Sequence, residues 1–301
     1  QQGCFQRASF FENGEGKWSG GEDCLYLNIW TPQLSNQEIK ESSKKLPVMM
    51  WIHGGANVMG SAHTYDPSSL VSNHEVVVVT IQYRMGPLGW FRHPALHTAE
   101  SSLEDRSGNY GTLDTIMALR WINENIHHFG GDPENVTVFG ESAGGHNSAA
   151  IFASPLAQGL FHKVIVESGI MSVSSIEAAE SYLPEDRIAP TVSGLEIFNQ
   201  VLIQNEKATN IKEAKEIQEQ MDPKEIRDLL YQQSPNVLLK AVDESGPKRD
   251  GMTIDKEAGA FDIRDFAMLN VLSSKMNTKE EMTVMHILWM IANQWGYRNW
   301  V

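Results

Sequence analysis

Cysteine is scarce in this chain: of 301 residues, only Cys4 and Cys24 carry a thiol. Two cysteines exclude a disulfide-dense small scaffold and leave two readings open. They are free thiols, or they close an N-terminal loop in an oxidising compartment. Positive charge is also short, with 24 Lys and Arg against 38 Asp and Glu and a formal net charge of −14. That balance opposes nucleic acid and anionic membrane surfaces as partners, because both require a basic face. Long apolar runs are missing as well. Leu46–Ile52 and Val76–Ile81 are strand-sized, far short of the ~20 residues of a membrane-spanning helix. No group of His, Cys and carboxylates has metal-ligand spacing, so no metal is expected, and no cofactor is expected. Residue 1 shows neither an initiator Met nor a signal-peptide pattern, which sets the expectation of a chain processed or shortened at its front.

What is present is an alternation of strand and helix signals over a 41% apolar composition, the pattern of an α/β fold with a sizeable core. Leu46–Ile52 and Val76–Ile81 are continuous apolar, β-branched runs, as in strands buried on both faces. Residues 111–129 carry Leu113, Ile116, Met117, Leu119, Ile122 and Ile126 at helical spacing. Val136–Phe139 reads as a short strand, a helix runs from Ala143 to about Phe152, and Phe161–Glu167 is strand-like again. Beyond about residue 176 the texture changes, and residues 206–233 are charged and helical. There Asp222-Pro223 supplies an N-cap and a first-turn proline ahead of a stripe of Ile226, Leu229 and Leu230. With no repeat and no low-complexity linker, the expectation is one domain over 1–301 with a helical insertion or cap at about 176–260.

Two glycine-rich turns carry chemistry. In Gly140-Glu141-Ser142-Ala143-Gly144, a serine sits where a strand must turn sharply into a helix. Small flanking residues let strand and helix backbones approach, and the serine is held strained with its oxygen exposed at the carboxyl end of the sheet. The N–H of Ala143, at the helix start, points toward any oxyanion formed on a carbonyl attacked by Ser142. The second turn, His53-Gly54-Gly55-Ala56, follows the strand Val48–Ile52 and leaves backbone N–H groups without side-chain cover. Losing one such donor typically costs ~3 kcal/mol of transition-state stabilisation.

The blocks GGEDCLYLNIWTP (20–32), WIHGGA (51–56), IQYRMGPLGWF (81–91), GNYGTLDTIMALRWINENIHHFGGDPENVTVFGESAGG (108–145) and FHKVIVESG (161–169) resemble the type-B carboxylesterase/cholinesterase family. Order and spacing match too, over about residues 4–170. Within that family the texture of 140–169 looks closer to bacterial carboxylesterases than to animal cholinesterases. The resemblance implies an α/β-hydrolase fold, a central mostly parallel sheet flanked by helices and truncated at both ends in this chain. It implies Ser142 as nucleophile, an oxyanion hole from the N–H groups of Gly55, Ala56 and Ala143, and a Cys4–Cys24 disulfide. It gives supporting positions to Gly54, Glu141 and Ser168. A carboxylic ester is the implied substrate, and a secreted or periplasmic location follows from the implied disulfide. Asn135-Val136-Thr137 forms a glycosylation sequon, but these residues also belong to the family's strand-entry block.

On this fold the triad follows the order Ser, Asp or Glu, His. The resemblance places the acid at Glu281, in Asn277-Thr278-Lys279-Glu280-Glu281-Met282-Thr283. The departures are a ragged preceding stretch, Met268–Leu272, and Ser273-Ser274 and Met282 where glycines are expected. The competing reading makes Glu280 and Glu281 the solvated start of a helix. For the base, only His286 follows Glu281, too soon after it to return to Ser142. His146 lies along the helix that starts at the serine, His53 belongs to the oxyanion turn, and His127-His128 ends the preceding helix. The resemblance thus implies a serine ester hydrolase, while the sequence shows no histidine in the base position. An internal fragment of doubtful turnover is the expectation. Trp90, Phe91, Trp289 and Trp295 are candidates for an apolar substrate pocket or for the core. The rival class is a non-catalytic adhesion or protein-binding domain of the same family, against which the intact serine turn argues.

Overall fold

The computed structural model describes residues 2–7, 18–33, 35, 37, 45–169, 174–184 and 192–245. Strands β1 (Gln6–Arg7) and β2 (Trp18–Ser19) form a short antiparallel pair. A five-stranded sheet is built from β3 (Leu27–Trp30), β4 (Leu46–Ile52), β5 (Val77–Ile81), β6 (Gly131–Glu141) and β7 (Lys163–Glu167), in the order β3-β5-β4-β6-β7. β3 runs antiparallel to β5, and all other pairings are parallel. This is the mostly parallel, helix-flanked sheet of an α/β-hydrolase fold.

β5 is buried at every residue, as its unbroken Val77-Val78-Val79-Thr80-Ile81 run implies. β4 differs from the expectation of burial on both faces. Leu46, Val48, Met50 and Ile52 are buried, whereas Pro47, Met49 and Trp51 are half-buried. Trp51 lies on that second face between Tyr65 and Phe139, with ring centroids 5.1 and 4.8 Å away. β6 extends well beyond the short strand expected at Val136–Phe139, and its carboxyl end is held on both sides, Gly140 beside Ile52 and beside Val166.

Helix α1 (Tyr110–Asn125), continued by a 3-10 turn over Ile126–Phe129, buries Ile116, Leu119, Ile122 and Ile126 in the main core. Met117 points outward instead, 59% exposed. Next to Ile116 in sequence, it falls about 100° around the helix from the packed stripe. Helix α2 (Ala143–Ala153) starts directly from β6.

The charged region forms helices α3 (Gly194–Gln204), α4 (Ile211–Gln220), α5 (Pro223–Tyr231) and α6 (Pro235–Glu244). Phe198, Val201, Leu202, Ala214, Ile226 and Leu230 make a second core there. Asp222 caps α5 by accepting from the Lys224 N–H at 2.8 Å, with Pro223 in the first turn. A buried polar junction ties the turn at residues 93–95 into this core. The Ala95 N–H donates to His93 Nδ1, so Nε2 carries the proton and donates to Gln218 Oε1 at 3.0 Å. The His93 ring meets Phe198 edge-on at 5.4 Å.

Candidate active site

Ser142 stands between the last residue of β6 and the first of α2, with φ 56° and ψ −119°. A non-glycine residue there is strained, and it persists because its surroundings over-determine it. Its N–H donates to the Glu167 carbonyl at 2.9 Å, tying the turn to β7. Its carbonyl accepts from the His146 N–H at 3.0 Å, the first hydrogen bond of the helix. The turn closes only because glycine stands at 140 and 144. A Cβ on Gly140 would lie 2.5 Å from the Gly144 carbonyl, and one on Gly144 would lie 2.0 Å from the Ile52 carbonyl oxygen.

The second turn folds against the first. A Cβ on Gly54 would stand 2.9 Å from the Glu141 carbonyl oxygen and 3.4 Å from the Ser142 Cβ, so the loop backbone passes directly beside the serine. Gly55 has φ 109°, and Ala56 and Asn57 follow at 54° and 59°, three successive left-handed residues. The Gly55 carbonyl accepts from the N–H groups of Val58 and Met59 at 3.0 and 3.1 Å, which curls the loop tightly. Among the described residues, none accepts a hydrogen bond from the N–H of Gly55, Ala56 or Ala143. Backbone donors left free beside a strained serine are suited to stabilising a developing oxyanion.

His53 lies beneath this loop, fully buried. Its Nδ1 is 2.8 Å from the Gly54 carbonyl oxygen, which can only accept, so Nδ1 carries the proton. The ring stacks on Tyr83 at 4.4 Å between centroids, and the Tyr83 hydroxyl donates to the His53 carbonyl at 2.7 Å. Burial lowers the His53 pKa from 6.5 to about 4, against the opposing effect of its hydrogen bonds, so the ring is neutral near pH 7. Burial raises the Tyr65 phenol above its ordinary value, with the Glu141 charge adding to the effect.

The other site positions divide. Glu141 is exposed at the end of β6, with its side chain beside Gly54. Ser168, exposed with φ 48°, follows β7 where residues 167–169 lie against the start of α2. Cys4 and Cys24 are joined in a disulfide, and both are buried in the main core. Trp90 is buried there as well, donating to Thr112 Oγ1 at 3.3 Å. Phe91 packs against the second core. Glu281, His286, Trp289 and Trp295 lie outside the described residues.

No described histidine is aimed at the Ser142 hydroxyl. His146 Nδ1 is 2.8 Å from the backbone carbonyl of Ser142 and donates to it, committing that ring to the helix wall. Burial holds its pKa below the ordinary range. Sequence reasoning missed Asn57 and Asn147, which meet beneath the site at 2.7 and 3.3 Å. The signal available was weak: an asparagine directly after a glycine-rich turn, in a position that turns out to be left-handed.

Comparison with known proteins agrees with this geometry. Residues 1–244 match the Carboxylesterase family. The chain is 46% identical to human cocaine esterase over 183 residues, which is 61% of this chain and 30% of that protein. It is 53% identical to a duck (Anas platyrhynchos) protein named fatty acyl-CoA hydrolase precursor, medium chain, over 49% of this chain and 24% of that one. Among solved structures, a Geobacillus stearothermophilus carboxylesterase superposes with a TM-score of 0.55 at 32% identity. The match covers 73% of this chain and 40% of that one. A PNB esterase superposes at 0.52 with 37% identity, over 74% and 39% of the two chains. The chain thus spans less than a third of the length of the curated relatives it matches. A strained serine at a strand-to-helix turn, a glycine-rich loop laid beside it and a family match over most of the sequence have one common reading: the chain belongs to the carboxylesterase family.

Proposed function

We propose that this chain carries the nucleophile and oxyanion hole of a carboxylic ester hydrolase that works through an acyl-serine intermediate. Ser142 Oγ attacks the ester carbonyl carbon, and the carbonyl oxygen takes up the negative charge. The N–H groups of Gly55, Ala56 and Ala143 receive that oxyanion. Collapse of the tetrahedral species expels the alcohol and leaves an acyl-Ser142 ester, which water then hydrolyses. The serine proton must pass to a general base, and His53 and His146 are both committed to backbone carbonyls. Glu281 is the proposed acid that orients a histidine.

The single observation that carries this reading is the serine at φ 56° and ψ −119° with the Gly54 backbone laid beside it, in turns where the N–H groups of Gly55, Ala56 and Ala143 have no acceptor among the described residues. The names of the relatives, an esterase and an acyl-CoA hydrolase among them, support acyl transfer to water. A non-catalytic binding domain of the same family is not favoured, since the serine and its turn are intact. Among the described residues no helix is long and apolar enough to cross a membrane. The Cys4–Cys24 bond supports an oxidising location, secreted or periplasmic.

The test is covalent labelling by a fluorophosphonate, read by peptide mass spectrometry. The expected result is an adduct on Ser142 of the folded chain that disappears in Ser142→Ala and on prior unfolding. A folded chain without any adduct on Ser142 overturns the reading.

A further inference from the structure

Asn57 and Asn147 come from different elements and meet out of water. Asn57 is 4% exposed in the loop after Ala56, and Asn147 is fully buried on α2, one turn beyond Ala143. Asn147 Nδ2 donates to Asn57 Oδ1 at 2.7 Å, and Asn57 Nδ2 donates back to Asn147 Oδ1 at 3.3 Å. Two primary amides closed head to head hold both the spacing and the relative orientation of their backbones. Each also satisfies the other's buried polar atoms, so neither can leave without stranding its partner.

The loop has other tethers, and they run elsewhere. The Asn57 carbonyl accepts from the Gly86 N–H at 2.8 Å. The Gln6 side chain brackets Gly60, accepting from its N–H at 2.7 Å and donating to its carbonyl at 2.9 Å. His53 bonds within the loop itself. The Asn57–Asn147 pair crosses directly from the loop to α2, where the Ala143 N–H stands, and Asn147 also bonds the side chain of Tyr83, whose hydroxyl donates to the His53 carbonyl. The crossing lies at the point where Ala56 and Asn57 hold consecutive left-handed conformations, each of which raises the loop's free energy unless something fixes it.

We infer that Asn57 and Asn147 are positioning residues. Their buried amide pair holds the two loop donors, Gly55 and Ala56, in register with the Ala143 donor on the helix. This rests on the proposed oxyanion hole. Among the described residues, neither amide hydrogen-bonds the serine hydroxyl. Loss of the pair therefore lowers the rate of attack at Ser142 and leaves reagent binding unchanged. A donor displaced by about 1 Å can lower a rate on the order of a hundredfold. A buried pair that only filled the core would lower thermal stability and leave the rate in folded protein alone.

The experiment uses the whole chain and three variants: Asn57→Gly, which keeps the left-handed backbone, Asn147→Ala, and the two combined. Fluorophosphonate labelling of Ser142 gives a maximal rate and a half-saturating concentration. Hydrogen exchange of the peptide covering 53–60 gives the order of the loop without any chemistry. Each single variant is expected to lose roughly tenfold or more in maximal rate with an unchanged half-saturating concentration, and to exchange faster at 53–60. The double variant is expected to be no slower than either single one. Folded variants with parental rate and parental exchange overturn the inference, and so does a double variant whose loss is the product of the two single losses. Asn147→Ser, whose hydroxyl is too short to reach Asn57, is expected to show the same loss if Asn147→Ala does not fold. If the parental chain takes no label, the ester chemistry fails independently. Exchange then decides the pairing: faster exchange at 53–60 in Asn147→Ala supports it, and parental exchange overturns it.

Discussion

Gly144 lies so closely under Ile52 that a Cβ on it would stand 2.0 Å from the Ile52 carbonyl oxygen and 3.0 Å from that of His53. The first turn of the serine-bearing helix is therefore wedged against the end of β4, the strand that delivers the oxyanion loop. Gly144→Ala is expected to destabilise the fold by about 3 kcal/mol, since backbone on both sides must shift. Urea unfolding of the purified variant checks this. A midpoint equal to that of the parent would show that the contact yields without cost.

Ser142 stores strain of its own. At φ 56° and ψ −119°, glycine is comfortable and serine is not. Ser142→Gly is expected to gain about 1 kcal/mol of stability while losing all fluorophosphonate labelling. Ser142→Ala, with its Cβ retained, is expected to lose labelling without that gain. Paired melting curves decide it, and equal midpoints for the two variants would count against stored strain at the serine.

His53 makes stability depend on pH with a definite sign. Its pKa falls from 6.5 in the open chain to about 4 when buried. Between those values the unfolded chain takes up a proton that the folded protein does not. The contribution of neutral His53 is thus complete above pH 6.5, shrinks as pH falls through the window, and is gone near pH 4. The integrated loss is about 3 kcal/mol. In His53→Gln that portion of the slope is expected to vanish. Denaturant midpoints of parent and variant between pH 7 and pH 4 measure it, and parallel curves would refute it.

The Cys4–Cys24 bond closes a loop with a sequence separation of 20 residues. By loop-closure entropy, its removal is expected to cost about 3 kcal/mol. The measurement is the thermal midpoint of the Cys4→Ser, Cys24→Ser double variant beside that of the oxidised parent. A shift below 2 °C would mean that the N-terminal segment is held by its packing alone.

Much of this protein is legible in its sequence. The strands at Leu46–Ile52 and Val77–Ile81 and the helix after Ser142 follow from local pattern. So does the Asp222-Pro223 helix start, because burial periodicity and capping are properties of neighbours in sequence. The tight turn at Ser142 is legible too, since only small residues fit where strand and helix backbones touch. That Met117 faces outward is not legible, because an apolar residue beside a core stripe looks the same in sequence whether it faces in or out. In sequence Trp90 suits a pocket or the core equally, and only its burial beside Tyr83, with a ring separation of 6.2 Å, places it in the core.

The pairing of Asn57 with Asn147 could not be read from the chain, because the residues are 90 positions apart and belong to separate patterns. Nor could the commitment of His53 and His146 to backbone carbonyls, since a histidine's role is set by what its ring nitrogens meet. By itself the sequence determined the order of elements, the strained serine turn and the kind of residue each turn requires. Tertiary structure alone decided how closely the Gly54 backbone lies to Ser142, which backbone donors have no acceptor among the described residues, and that Asn57 meets Asn147. Those depend on strands meeting across the sheet, and local sequence carries no record of contacts at that distance.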